Sequence, residues 1–105
     1  MTNYVPEEEF DRTTAEGFWI ADFYTDHCGP CKMLDLVLNG ILFDNPEINV
    51  AKCDIEKSPD YVERFHIQGT PTLLFMMDGV IKQTMTGSQP REKLEEAISS
   101  VMYGD

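Results

Sequence analysis

Phe18-Trp19-Ile20-Ala21-Asp22-Phe23-Tyr24, then Cys28-Gly29-Pro30-Cys31-Lys32-Met33-Leu34, is the stretch that decides the fold. The first run is short, almost continuously apolar and rich in aromatic and β-branched residues, and it follows Gly17. It predicts a central strand buried on both faces, interrupted only by Asp22. From Cys31 to Phe43 the apolar residues Met33, Leu34, Val37, Leu38, Ile41 and Leu42 recur at helical spacing. Gly40 weakens the last turn, and Asn45-Pro46 ends the helix. Ile48 to Ile55 is the next strand. Strand, helix and strand at this spacing make a βαβ unit, hence a parallel pair with a right-handed crossover.

Working outward, Ser58-Pro59 predicts a helix start, with Ser58 as N-cap and Pro59 at the first helical position, running to about Phe65. Thr72 to Met77 reads as a strand, Asp78-Gly79 as a hairpin turn and Val80 to Thr86 as the antiparallel partner. Gln89-Pro90 opens a final amphipathic helix with Leu94, Ala97, Ile98 and Val101 on one face. Glu7 to Thr14 is a weaker first helix. A βαβ half followed by a ββα half predicts an α/β fold: one central mixed sheet of four to five strands, flanked by helices on both faces. Residues 1–105 read as a single domain without repeats or linkers.

The formal net charge is −11, from eight Lys+Arg against nineteen Asp+Glu. That balance repels phosphate backbones and anionic membranes, so neither nucleic acid nor membrane is an expected partner, and it favours solubility. No run approaches the roughly 20 apolar residues that span a bilayer. The amino-terminal stretch carries Glu7, Glu8 and Glu9 where a signal sequence would be basic and apolar, so a cytoplasmic location is expected. In that reducing compartment Cys28, Cys31 and Cys53 should not form a structural disulfide framework.

Cys28 and Cys31 stand at the start of a helix, where unpaired N–H groups and a partial positive charge favour a thiolate. Pro30 suits that position because its missing N–H would have no partner there. Gly29-Pro30 is also poor core filling, so the pair reads as a reversible dithiol–disulfide couple. Cys28, nearer the exposed end, is the expected attacking thiolate, and Cys31, one turn inward, resolves the mixed disulfide. A different class of function remains open: His27, Cys28 and Cys31, with Met33 in reach, could hold copper(I) or zinc.

Beyond the Cys-x-x-Cys motif, several spaced segments resemble the thioredoxin family, in order and over nearly the whole chain. They are Ala21-Asp22-Phe23-Tyr24, Cys28 to Met33, Val50-Ala51-Lys52, Gly69-Thr70-Pro71-Thr72-Leu73, Asp78-Gly79 and Gly87. The resemblance implies a thioredoxin fold and a protein-disulfide reductase. Such an enzyme needs no cofactor beyond its own redox-active disulfide, is recharged by a reductase and acts as a monomer. It also implies that Asp22 is a buried proton acceptor for Cys31, faced by Lys52. An Asp22 or Lys52 turned towards water is the alternative at each position. Thr70-Pro71 would be a cis-proline loop lying against the dithiol, with Thr70 pairing its backbone to an incoming peptide. Gly69 and Gly87 would allow close approach on the same face. A redox-silent module that holds a partner on the Pro71 loop is a third reading.

The chain departs from that pattern at several positions. His27 stands where the family usually has Trp; protonated, it would favour the Cys28 thiolate and make the couple more oxidising, towards oxidase or isomerase work. Leu36 replaces a mid-helix proline, and Tyr24 a common Trp. Cys53 is an added thiol within a strand, expected to be buried and inert, with a regulatory or dimerising role as the alternative.

Overall fold

A computed structural model describes residues 1–104. In order its elements are β1 (Thr2–Tyr4), a 3-10 turn (Glu7–Glu9) leading into α1 (Phe10–Thr14), β2 (Phe18–Tyr24), α2 (Gly29–Asp44) and β3 (Asn49–Asp54). Then come α3 (Asp60–Phe65), β4 (Thr72–Met77), β5 (Val80–Thr86) and α4 (Arg91–Tyr103). The five strands form one mixed sheet in the order β1-β3-β2-β4-β5. β1, β3 and β2 run parallel, while β4 is antiparallel to β2 and to β5.

Successive residues of β2 face opposite sides of the sheet, so its unbroken apolar run feeds two cores. Phe18 and Ile20, with Val50, Leu73 and Phe75, pack under Leu34, Leu38 and Ile41 of α2 and Leu94, Ala97 and Ile98 of α4. Trp19, Ala21 and Phe23, with Ala51, Cys53 and Leu74, pack against Phe10 of α1 and Tyr61 of α3. In the second core the ring of Phe10 lies 5.0 Å from that of Phe65 and 5.7 Å from that of Tyr61, centroid to centroid.

Several elements differ from the sequence reading for identifiable reasons. β1 has no apolar pattern to announce it; it is held by ladder bonds, with the Val50 N–H donating to the Met1 carbonyl (2.8 Å) and the Val5 N–H to the Lys52 carbonyl (2.9 Å). α2 starts earlier than the apolar spacing implies, because Cys28 caps it, and it continues through Gly40 to Asp44. A Cβ at Gly40 would come within 3.2 Å of the Arg91 guanidinium. Ser58 is not the side-chain cap of α3: the helix begins at Asp60, no side chain caps it, and Ser58 instead accepts the Tyr61 N–H on its carbonyl (3.2 Å). The β4–β5 turn matches its Asp-Gly signal. Asp78 and Gly79 both take positive φ, 51° and 81°, and the Asp78 carboxylate accepts the Gly17 N–H at 2.8 Å.

Candidate active site

Cys28 is the N-cap of α2, with extended backbone, and the Cys31 N–H donates to its Sγ at 3.1 Å. A helix N-terminus leaves its first N–H groups without intrahelical acceptors. Here one of them is spent on the Cys28 sulfur, a contact that would stabilise negative charge there once the disulfide is reduced. Pro30, within the first turn, removes a donor that would have had no partner. The two cysteines are joined as a disulfide, with their Cα atoms 5.2 Å apart. Cys28 lies at the surface edge (9% exposed), whereas Cys31 is deeper at 3%. Gly29 and Pro30 are exposed between them.

A second segment meets the dithiol from the side. Cys28 Sγ lies 3.5 Å from the Thr70 carbonyl oxygen, and the Thr70–Pro71 bond is cis. The loop is tied down at both ends: Thr72 donates its hydroxyl to the Gly69 carbonyl (2.7 Å), and the Gly87 N–H donates to the Pro71 carbonyl (2.9 Å). Gly69, Thr70, Pro71 and Gly87 line one open groove of about 440 Å³. A Cβ at Gly69 or Gly87 would meet nothing within 4 Å, so the space above both is open; Gly87 has φ +77°, which favours glycine on backbone grounds alone.

Beneath α2, on the face that carries Phe18 and Ile20, Asp22 of β2 is paired in register with Lys52 of β3. The Lys52 ammonium donates to Asp22 Oδ2 at 3.0 Å and to Asp35 Oδ1 at 2.7 Å, and it lies 4.2 Å from the centre of the Tyr24 ring. Asp22 is 1% exposed, and its Oδ1 has no hydrogen-bond partner among the described residues. Burial pushes the Asp22 carboxyl up to about 6, against the downward pull of Lys52. Burial also lowers the Lys52 ammonium, but Asp22 and Asp35 outweigh it and hold the group above the ordinary lysine value. Neither Asp22 nor Lys52 turns to water.

Every site residue inferred from sequence is therefore placed. Cys28, Cys31, Gly29, Pro30, Gly69, Thr70, Pro71 and Gly87 share the dithiol end, with Asp22 and Lys52 below. His27 is exposed and joins the site through its peptide bond to Cys28. Asp35 was missed. Its sequence signal was partial: helical spacing puts it one turn after Cys31, between the inward-facing Leu34 and Leu38, but does not reveal Lys52 as its partner. Cys53 is 0% exposed on the opposite face of the sheet, and burial pushes its thiol up to about 12, the signature of an inert core cysteine. Among the described residues no group of three or more His, Cys, Asp or Glu side chains is placed to hold a metal ion, and no helix is long and apolar enough to cross a membrane.

Comparison with known proteins gives a consistent result. The family model described as Thioredoxin matches residues 1–100. Thioredoxin of Listeria monocytogenes is 33% identical over 100 residues, covering 94% of this chain and 97% of that protein. Thioredoxin of Bacillus subtilis is 31% identical over 94 residues, covering 89% and 90%. Among solved structures, a mutant thioredoxin from Halobacterium salinarum superposes with a TM-score of 0.85 at 31% identity, covering 96% of this chain and 90% of that one.

Proposed function

We propose a specific role for this chain, which belongs to the thioredoxin family and is a dithiol–disulfide oxidoreductase: it is a general reductant of protein disulfides, with Cys28 as nucleophile and Cys31 as resolving thiol. The family works without a cofactor, on a redox-active disulfide, with disulfide-containing proteins as substrates and a reductase as electron donor. The observation that carries the assignment of roles is the Cys31 N–H on the Cys28 sulfur.

In the reduced enzyme the Cys28 thiolate attacks one sulfur of the substrate disulfide, forming a mixed disulfide and releasing the first substrate thiolate. Cys31 then attacks Cys28 Sγ. Its thiol proton passes to Asp22, the Cys28–substrate bond breaks, and the second substrate thiolate leaves as the Cys28–Cys31 bond closes. The substrate chain runs along the groove over Gly69, Thr70, Pro71 and Gly87 and pairs with the backbone of Thr70 as an added strand. Lys52 holds Asp22 in place. His27, when protonated, favours the Cys28 thiolate, and Gly29 and Pro30 keep the dithiol turn exposed to partners. The chain acts as one domain over residues 1–105, as a cytoplasmic monomer. Its net charge of −11 argues against nucleic acid and anionic membrane as partners.

The test is equilibration of the Cys28–Cys31 couple against glutathione or dithiothreitol, together with reduction of a protein disulfide such as that of insulin. A reducing potential with turnover, and a stable Cys28-linked mixed disulfide in Cys31→Ser, is expected. A couple poised as an oxidant, or a substrate trapped on Cys31 in Cys28→Ser, would overturn these roles.

A further inference from the structure

The established dithiol and its proposed proton acceptor leave one polar contact unexplained: the shorter of the two ion pairs made by Lys52 goes to Asp35, not to Asp22. Asp22, Lys52 and Asp35 form a cluster of two carboxylates around one ammonium. With all three ionised it carries one surplus negative charge. The Lys52 side chain is 8% exposed and that of Asp22 1%, so little solvent screens them, while the Asp35 side chain is 41% exposed. A cluster with a surplus negative charge favours uptake of one proton. The unpartnered oxygen in it is Asp22 Oδ1, buried and ready to receive that proton. Asp35 is also one helical turn from Cys31 on α2, so the thiol and the second carboxylate share one stretch of the helix above Asp22.

We infer that Asp35 is a positioning residue for the resolving step: by holding the Lys52 ammonium from the α2 side, it keeps that cation from being wholly committed to Asp22 and leaves Asp22 Oδ1 able to take the Cys31 proton. The inference rests on Asp22 being the acceptor for Cys31. The step itself is balanced. The Cys31 S–H bond breaks as its sulfur bonds to Cys28 Sγ, the proton goes to Asp22 Oδ1, and the electron pair of the broken Cys28–substrate bond leaves on the substrate thiolate. Other groups also face the cluster. Tyr24 of β2 covers the Lys52 ammonium, Tyr4, Asp54 and Lys57 line the same cleft as Lys52, and Asp54 and Asp26 act on Tyr24. Cys53 of β3 lies across the sheet as a neutral thiol, and β4 offers Asp22 only Leu73. Among the described residues Asp35 is therefore the one carboxylate that shares the cation of Asp22.

The test is to titrate the carboxyl carbon of Asp22 by NMR in the full-length disulfide form of wild type, Asp35→Asn and Asp35→Glu. The pH dependence of single-turnover thiol release from a Cys28–glutathione mixed disulfide is measured alongside, with Asp22→Asn added. Asp35→Asn should lower the Asp22 midpoint by about one pH unit and move the release profile the same way, and Asp35→Glu should restore both. An Asp22 midpoint unmoved by Asp35→Asn overturns the role of Asp35, even if Asp22→Asn slows release. Undiminished release in Asp22→Asn at every pH overturns the proton-acceptor reading itself, and the two failures are separated by the two readouts.

Discussion

The amide of Cys31 donates to the sulfur of Cys28 at 3.1 Å, so the helix that positions the resolving cysteine also stabilises its partner as a thiolate. In the reduced protein this asymmetry should show as selective alkylation. Iodoacetamide should modify Cys28 at near-neutral pH, while Cys31 and the fully buried Cys53 remain unmodified until the protein is unfolded. Peptide mass mapping reads the order directly, and modification of Cys31 ahead of Cys28 would reverse the proposed roles.

Asp22 makes stability depend on pH in a direction opposite to that of most carboxylates. Its folded value, about 6, is raised above the ordinary 3.8, so the folded state binds a proton more tightly than the unfolded chain. The stabilisation this contributes is complete below about pH 4 and is lost as pH rises through about 6. Asp22→Asn lacks that loss. Its stability relative to wild type should therefore climb by roughly 2 kcal/mol between pH 4 and pH 7 and then level off. Urea melts of both disulfide-bonded proteins across that range test it; a constant difference would show that Asp22 does not titrate abnormally.

Tyr61 ties α3 to the segment after β1, its buried hydroxyl donating to the Val5 carbonyl at 2.6 Å. Tyr61→Phe keeps the ring among Phe10, Phe23 and Phe65 but leaves that carbonyl unpaired, at a cost of about 1–2 kcal/mol. The denaturation midpoint should fall with the slope unchanged. A midpoint equal to wild type would mean that the Val5 carbonyl finds another donor.

His27 is exposed and adjacent to Cys28, so its influence on the dithiol is electrostatic and sensitive to salt. Replacing it with Trp removes a ring that can carry positive charge beside the thiolate. The couple should become more reducing, on the order of 10 mV, with the difference shrinking in high salt. Equilibration against glutathione at low and high ionic strength measures both. A potential that moves the other way would assign His27 no part in favouring the thiolate.

The local chemistry of this protein was legible in its sequence because it depends on residues close together in the chain. The unbroken apolar run of β2, the helical spacing of α2, the Asp78-Gly79 turn and the placing of Cys28 and Cys31 at a helix start all follow from spacing and side-chain type. β4 and β5 fell on the residues their patterns predicted, since alternation and turn chemistry define a hairpin locally. β1 did not announce itself: Thr2–Tyr4 is too short for periodicity and exists through hydrogen bonds to β3, nearly fifty residues away. The same limit hid Asp35. Within α2 it is one acidic residue on a helix, and only the sheet beneath brings Lys52 to within 2.7 Å of it and 3.0 Å of Asp22. A thiol at a helix N-terminus is prepared by its own turn, whereas the Asp22 carboxyl is raised first by burial between sheet and helix, against the pull of Lys52, and only tertiary packing supplies that burial and sets those distances.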